Sequence, residues 1–265
     1  MDTPKDLRLA VLIDADNISY SNIKTMMEEI ATYGSPTFKR IYGDWTKPTL
    51  VGWKTVLLEN AITPVQQYSY TAGKNSSDSA LIIDAMDILY TGRVDGFCIV
   101  SSDSDFTRLA TRLREAGMKV FGIGEKKTPA AFIASCNKFI YLEILKPEVK
   151  STPDKTTAVK SALKTHVVAT IDRGLIKLIA DSINDIAEED GWVFLGVLGN
   201  LILKKQPDFD PRNYGYIKLI DLIKDIPQFE IDKRATGNKN VFHIYVRIKQ
   251  VLSQNRATHR RNPRR

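Results

Sequence analysis

A short apolar run that ends in carboxylates is the feature that most constrains the fold of this chain. Residues 9–17 read LAVLIDADN, so the apolar run leads directly into Asp14, Asp16 and Asn17. Apolar strands of this length, alternating with helices, are typical of a parallel sheet that is covered on both faces. Ligands bind such sheets at the carboxyl ends of the strands. We therefore expect these three polar side chains at a ligand-binding edge.

The same arrangement returns in the middle of the chain. Residues 97–106 read FCIVSSDSDF, in which Asp103 and Asp105 follow a second apolar run. Carboxylates that gather at one edge of a sheet repel one another, and a hard divalent cation relieves that repulsion. The two acidic strand ends together predict a site for Mg²⁺ or Mn²⁺.

Residues 1–146 alternate between strand and helix patterns. This alternation predicts an α/β domain of three layers with a mainly parallel sheet. The strand candidates are residues 8–14, 37–43, 62–70, 96–101, 119–123 and 138–142, and the helix candidates are 19–32, 49–60, 77–91, 105–116 and 129–135.

A second module follows a stretch rich in Pro, Thr, Ser and Lys, which we interpret as a linker over residues 147–170. Residues 171–248 contain three helical patterns and then two strand patterns around ATGNKN, a hairpin signal. This order predicts a small winged helix-turn-helix (α+β) domain. A basic tail, residues 249–265, follows it.

The net charge of +7 lies in the second half of the chain. Residues 1–150 hold 18 basic and 18 acidic side chains, whereas residues 151–265 hold 20 and 13. The stretch 247–265 alone has seven Lys or Arg and no acid. Such a tail attracts polyanions without sequence specificity, or it simply improves solubility.

Composition favours a cytoplasmic protein that does not enter a membrane. The longest apolar stretch, residues 192–203, is too short to span a bilayer, and the N-terminus lacks the apolar core of a signal peptide. The chain has only two cysteines, Cys98 and Cys136, so we expect neither a disulfide framework nor a thiolate metal site.

Asp78 is the third acidic position of interest. On a helical wheel it lies within the apolar stripe of its helix, whereas Asp87 falls opposite and Asp84 to one side, as solvated residues should. An acid on an apolar stripe is costly unless it is paired or metal-bound. We therefore predict that Asp78 belongs to the same site as the two strand ends.

Helix capping explains only part of the acidic residues at the strand ends, because one capping side chain is enough for each helix. Asp44 ends a third strand and fits either the acidic ring or a turn. Gly122 and Gly124 in FGIGE lack the third glycine of a dinucleotide fingerprint, and we expect them to form a turn.

Three motifs in this order make the chain resemble the NYN domains, LabA-like nucleases of the PIN-like group. They are DADN at 14–17, the K-x-x-x-D spacing from Lys74 to Asp78, and SSDSDF at 101–106. The likeness covers residues 8–143. Residues 191–223, with P-x-F-D and the YG pair, resemble an OST-HTH/LOTUS domain.

The resemblance implies a metal-dependent ribonuclease coupled to an RNA-binding module. Its catalytic and metal-binding residues would be Asp14, Asp78, Asp103 and Asp105, with Mg²⁺ or Mn²⁺ as the cofactor. A cation there would lower the pKa of a bound water and neutralise charge on a phosphodiester.

Four further residues are candidates for substrate binding. Asn17 and Ser102 are suited to hydrogen-bonding a phosphate or a coordinated water, Lys74 could contact a phosphate, and Trp45 could stack a base. RNA, single-stranded or structured, is the expected partner, and the C-terminal domain could also recruit proteins. The oligomeric state stays open.

Two other functions remain open at this point. A catalytically silent RNA-binding or regulatory protein could retain the acidic cluster without turnover. A haloacid-dehalogenase-like phosphatase would use Asp14 and Asp16 as its nucleophile and acid pair. The later acids of that family lie four apart, however, whereas those of SSDSDF lie two apart, and Asp78 would have no role. The sequence also leaves open whether the substrate is RNA or DNA and whether cleavage is endonucleolytic or exonucleolytic. The roles of Asp16, Asp44 and Asp84 stay open as well.

Overall fold

The structure is a computed structural model that describes residues 6–68, 76–145, 169–236 and 241–249. Two sheets, one in each half of the chain, are each packed against helices around a separate hydrophobic core. Among the described residues, no helix has the length and apolar character needed to cross a membrane.

The first domain is built on a six-stranded sheet in which every neighbouring pair is parallel, in the order β3-β2-β1-β4-β5-β6. This confirms the predicted α/β class with a parallel sheet. The central strands are buried almost completely, as their continuous apolar runs require. The strands are β1 (Arg8–Asp14), β2 (Ser35–Gly43), β3 (Thr63–Gln66), β4 (Gly96–Val100), β5 (Lys119–Gly124) and β6 (Lys138–Tyr141).

Five helices connect these strands, and a 3-10 turn leads into three of them. Helix α3 connects the edge strand β3 to β4, which lies on the far side of β1 in the strand order. Its buried positions Leu81, Ala85 and Ile88 follow the helical period. The helices are α1 (Ile23–Ala31), α2 (Trp53–Glu59), α3 (Ser76–Thr91), α4 (Thr107–Glu115) and α5 (Ala130–Ser135).

The glycines of FGIGE do not form a turn, so that prediction is wrong. Gly122 and Gly124 lie in β5, where neighbouring side chains approach the backbone closely. A Cβ atom at Gly122 would lie 2.5 Å from Phe139 Cδ2 and 2.8 Å from Cys136 Sγ. These glycines therefore make room for the core on β6 and α5.

The second domain has the predicted winged helix-turn-helix form, with a three-stranded antiparallel sheet in the order β7-β9-β8. Asp172 caps its first helix by accepting a hydrogen bond from the backbone of Leu175. Its elements are α6 (Arg173–Ile186), β7 (Val193–Phe194), α7 (Leu195–Lys205), α8 (Leu219–Lys224), β8 (Phe229–Ala235) and β9 (Phe242–Ile248).

The second domain docks on the outer edge of the large sheet. The backbone N–H of Phe139 in β6 donates to the carbonyl of Pro207 at 2.8 Å. The hydroxyl of Tyr141, at the end of β6, donates to Asp208 at 2.7 Å. The segment between α7 and α8 thus pairs with a strand edge that would otherwise face water.

Candidate metal centre

Two neighbouring strands bring the acidic motifs to one edge of the large sheet. β1 and β4 are paired in parallel, with Ile13 opposite Val100, so the residues that follow them leave the sheet side by side. Asp14 is the last residue of β1, and Ser101 follows β4 directly. The carboxyl edge of the sheet therefore collects the side chains of both motifs.

Three carboxylates form a group that could hold a metal ion. Asp78, Asp103 and Asp105 each offer one oxygen, and these oxygens all lie within 4.8 Å of one another. Asp78 opens helix α3 and is buried, Asp103 is half-buried, and Asp105 is exposed. The group is therefore open to solvent on the side of Asp105.

Asp103 both caps a helical turn and takes part in the acidic group. Its Oδ1 accepts a hydrogen bond from the backbone N–H of Asp105 at 2.9 Å, which fixes the start of the turn Ser104–Phe106. A carboxylate that caps through one oxygen can still present the other to a ligand. The capping function and a metal-binding function are therefore compatible at Asp103.

Asp14 lies beside this group but is not a member of it in the described part of the chain. Its side chain is almost fully buried, and its oxygens accept hydrogen bonds from Asn17 Nδ2, from Ser101 Oγ at 3.0 Å and from the backbone N–H of Asp16 at 3.1 Å. Burial raises the pKa of Asp14, and these hydrogen bonds counteract part of the rise. Its assignment as a direct metal ligand stays a prediction.

The electrostatic state of Asp78 reports how close the acids are. Its pKa is raised to about 6, mostly by burial and then by the negative charges of Asp14, Asp103, Asp105 and Asp16, in that order. Burial disfavours the charged form of a carboxyl, and neighbouring negative charges disfavour it further. Asp14 therefore acts on Asp78 through its charge even though it is not a member of the three-residue group.

Sequence reasoning missed Ser101, which links the two strand ends. This fully buried serine donates to Asp14 at 3.0 Å and accepts from the backbone N–H of Asp103 at 3.1 Å. The signal for it was present, since a hydroxyl directly after the apolar run of β4 must find a partner when buried. The residue that the sequence predicted was its neighbour, Ser102.

The structure gives the four predicted substrate-binding residues different surroundings. Asn17 donates to Asp14 and is thereby held next to the acids, whereas the buried Ser102, which precedes Asp103 in the chain, accepts from the backbone N–H of Glu125 at 2.8 Å. Trp45 donates its indole N–H to the Val65 carbonyl at 3.0 Å, and its ring lines an apolar cavity of about 410 Å³. Lys74 lies outside the described residues.

Two further acids have structural roles. The carboxylate of Asp44 accepts from Gln66 at 3.0 Å and from the hydroxyl of Thr46 at 2.6 Å, as a turn residue does. Asp84 is not the solvated helix residue that the wheel predicted, because it pairs with Arg40 and Tyr42 of β2. Asp87, by contrast, is exposed as predicted.

Comparison with protein families decides what the first domain is. The family model for the NYN domain matches residues 8–143, which spans the whole large sheet. The chain belongs to the NYN domain family. A second model, for the OST-HTH/LOTUS domain, matches residues 166–241, so the two domains follow in the predicted order.

Two solved structures are similar to parts of the chain. A crystal structure of a protein of unknown function from Vibrio parahaemolyticus is 20% identical, with a TM-score of 0.43, and the match covers 52% of this chain and 94% of that one. A solution structure of an uncharacterized protein from Nitrosomonas europaea is 30% identical, with a TM-score of 0.28, and the match covers 39% of this chain and 93% of that one. No curated protein matches the chain.

The acidic group of the NYN domain has the chemistry of a site for a hard divalent cation. Its ligand atoms are carboxylate oxygens, which Mg²⁺ and Mn²⁺ prefer, and one side opens to water that could complete the coordination shell. A cation there would also relieve the repulsion that, after burial, raises the pKa of Asp78. The donor set therefore fits the metal.

Proposed function

We propose that this protein is a metal-dependent ribonuclease, in which the NYN domain hydrolyses phosphodiester bonds and the OST-HTH/LOTUS domain binds the RNA. The observation that carries the proposal is the convergence of Asp78, Asp103 and Asp105 at the carboxyl edge of a parallel sheet. Membership of the NYN family and the presence of a second, RNA-binding type of domain support it.

In this proposal Asp78, Asp103 and Asp105 would hold Mg²⁺ or Mn²⁺. The cation, when bound, neutralises charge on the phosphodiester and acidifies a water. Asp14 adds negative charge near Asp78, and hydrogen bonds from Ser101 and Asn17 hold its carboxylate in place. We therefore propose that Asp14 is either a fourth metal ligand or a residue that positions the other ligands. No side-chain nucleophile is needed for this reaction.

The protein's own groups would orient the substrate. Asn17 is hydrogen-bonded to Asp14, and Ser102 precedes Asp103 in the chain; both are proposed to hydrogen-bond a phosphate oxygen or a water. For Lys74, the proposed contact with a phosphate rests on the sequence alone. The support for Trp45 as a base-stacking residue is weaker, because its indole N–H is used by Val65 and its ring serves as a cavity wall.

The second domain offers aromatic surface to an RNA strand. Phe194 is partly exposed, and its ring lies 5.2 Å from the ring of His243 and 5.9 Å from that of Tyr245. Phe194 and His243 also line a cavity of about 480 Å³ together with the exposed Phe242. Unpaired bases stack on such rings, which supports RNA as the ligand of this domain.

The test is cleavage of end-labelled RNA by the full chain in Mg²⁺, Mn²⁺, Ca²⁺ or chelator. We expect cleavage in the first two only, and a loss of at least about a hundredfold in Asp78→Asn and Asp103→Asn. Asp87→Asn is the matched control, since Asp87 lies on the same helix but on its exposed side. Melting temperatures of all variants show whether the fold is retained.

Cleavage that persists in chelator, or that survives in both active-site variants, would refute the mechanism. Binding of RNA and of metal without cleavage would instead favour the silent regulatory protein. A calorimetric titration with Mn²⁺ tests the metal site independently of catalysis. Asp78→Asn should reduce the affinity for Mn²⁺ whether or not the protein cleaves RNA.

A further inference from the structure

Tyr20 is an exposed aromatic residue close to the acidic edge. It lies six positions after Asp14, on the segment that leaves the carboxyl end of β1. The residue is 48% exposed, although its ring packs in an edge-to-face arrangement with the buried Trp53, with ring centroids 6.3 Å apart and an interplanar angle of 69°. The ring is thus held against the core by Trp53, while about half of the residue's surface faces water.

Gly52 leaves the space in which this ring lies. A Cβ atom at Gly52 would be 2.8 Å from Tyr20 Cε1, so any side chain there would push the ring away. The backbone at Gly52 has φ −62° and ψ −17°, a conformation open to every residue. The neighbouring ring, rather than the backbone, is therefore the constraint on a side chain at this position.

Lys47 places a positive charge beside the acids. Its Nζ lies 3.5 Å from Asp16 Oδ1, and both side chains are 41% exposed. The backbone N–H of Asp16 donates to Asp14 Oδ1 at 3.1 Å, so this ammonium lies at the border of the acidic residues. An exposed ion pair of this kind is weak and can exchange its partner for a phosphate.

Tyr20 and Lys47 belong to one small unit. Lys47 begins the turn Pro48–Leu50, and the same stretch of chain continues to Gly52, against which the Tyr20 ring lies. The unit thus combines one solvent-facing aromatic ring with one exchangeable ammonium. These are the two groups that bind a nucleotide of a single strand, by stacking and by charge.

We propose that Tyr20 and Lys47 form a nucleotide subsite, in which the ring stacks on one unpaired base and the ammonium contacts the adjoining phosphate. This inference rests on the proposed function and specifies its substrate: the RNA must be single-stranded at this position. A paired base is already stacked between its neighbours and cannot lie on the ring. Lys47 also explains how a phosphate approaches an edge that carries five carboxylates.

The test measures binding without cleavage, in full-length Asp103→Asn with Ca²⁺, using a fluorescein-labelled single-stranded RNA and the same strand in a duplex. We expect Tyr20→Leu to weaken single-strand binding about tenfold and duplex binding less than twofold. Tyr20→Phe keeps the ring and should stay within about twofold. Gly52→Ala moves the ring and should weaken single-strand binding in the same direction.

Lys47→Gln tests the phosphate contact, since it should flatten the log-log salt dependence of single-strand binding by roughly 0.7. Tyr90→Leu is the matched control, because Tyr90 is an even more exposed tyrosine at the opposite end of α3 from Asp78. Its affinity should equal that of the parent. Melting curves confirm that every variant is folded.

Equal affinities for Tyr20→Leu and Tyr20→Phe, or equal reductions in affinity for single strand and duplex, would overturn the subsite. A different result would refute the proposed ribonuclease function. The native chain would then bind RNA without cleaving it, while Tyr20→Leu would still weaken binding. A chain that cleaves RNA but binds it equally well with leucine at position 20 retains the function and refutes this subsite.

Discussion

The guanidinium of Arg212 in the second domain donates to both carboxylate oxygens of Glu29 on α1, at 2.8 and 2.7 Å. It also donates to Asp210 at 2.8 and 3.0 Å, while the Tyr33 hydroxyl donates to Glu29 at 2.6 Å. Burial alone would raise the pKa of Glu29, but Arg212 and Tyr33 hold it below its usual value. A largely buried, bidentate ion pair therefore joins the two domains.

Removing Arg212 should be strongly destabilising. The exposed fraction is only 11% for the Glu29 side chain and 7% for Asp210, so Arg212→Met would leave two buried carboxylates with one cation fewer. We expect the free energy of unfolding to fall by about 3 kcal/mol. Urea denaturation of the full chain measures this change, and adding Glu29→Met should recover part of it.

Arg234→Met provides the control for this experiment. Arg234 pairs with Asp232 at 3.0 Å, but both side chains are about 40% exposed, so solvent screens the pair and weakens it. If Arg212→Met costs no more than Arg234→Met, the ion pair does not hold the domains together.

The sequence alone predicted the structural features that depend on a single helix or strand. The parallel sheet followed from continuous apolar runs, and Asp78 was found because a charge on the buried stripe of a single helix is visible on a wheel. In the structure Asp78 is indeed buried beside Asp103. Local periodicity therefore identifies which face of an element carries an unusual residue.

Features that depend on distant partners were missed. The wheel assigned Asp84 to solvent because it cannot show Arg40, which lies 44 positions earlier on β2. Ser101 escaped notice because its task is to bond Asp14, 87 positions away. The docking of the domains through Arg212 has no local signal either, since its partner Glu29 lies 183 positions earlier.

The carboxyl of Asp78 should make metal-free stability depend on pH. Burial and the neighbouring acids raise its pKa from 3.8 to about 6. Between these values the folded state binds more protons than the unfolded state, so this group lowers stability as pH rises from about 4 to about 6. At pH 7 the cost is about 3 kcal/mol. Mg²⁺ in excess should offset it.

Asp78→Asn tests this pH dependence, because it removes one titrating group. The pKa values of Glu29 and Asp210 are lowered, so these two residues have the opposite effect on stability, and the substitution leaves that effect unchanged. Thermal melts in chelator at pH 4 to 7 should show that the variant is more stable than the parent at pH 7 and loses that advantage near pH 4. Asp87→Asn should follow the parent throughout. An advantage that stays constant with pH would contradict the assigned pKa.

A methyl group at Gly122 should strain the core of the NYN domain. The added Cβ would meet Phe139 and Cys136 at 2.5 and 2.8 Å, and both side chains are buried. Overpacking of this kind costs about 1 to 3 kcal/mol. Chemical denaturation of Gly122→Ala measures it, with Gly92→Ala as a contrast in which strain comes from positive φ rather than from crowding. A change below about 0.5 kcal/mol would show that the ring and the thiol move aside freely.

The basic tail is shorter than its charge pattern indicates. Arg247 lies in β9, pairs with Glu230 and stacks 4.5 Å over the ring of Trp192, and the backbone N–H of Lys249 donates to Gln228. A truncation that begins at residue 247 would therefore remove part of the sheet. The clean deletion is 250–265, which removes five arginines and no acid.

If those arginines capture RNA by pairing with its phosphates, the deletion should weaken binding most at low salt. For a single strand, every arginine–phosphate pair that the deletion removes should flatten the log-log salt dependence by roughly 0.7. The cleavage rate at saturating RNA should not change, because the acidic edge and the docked second domain remain. A chain that keeps residues 250–265 but carries glutamine at the five arginines separates charge from length. Should that chain bind RNA with an unchanged salt slope, the tail does not bind the phosphate backbone, and recruitment rests on the aromatic surface around Phe194 instead.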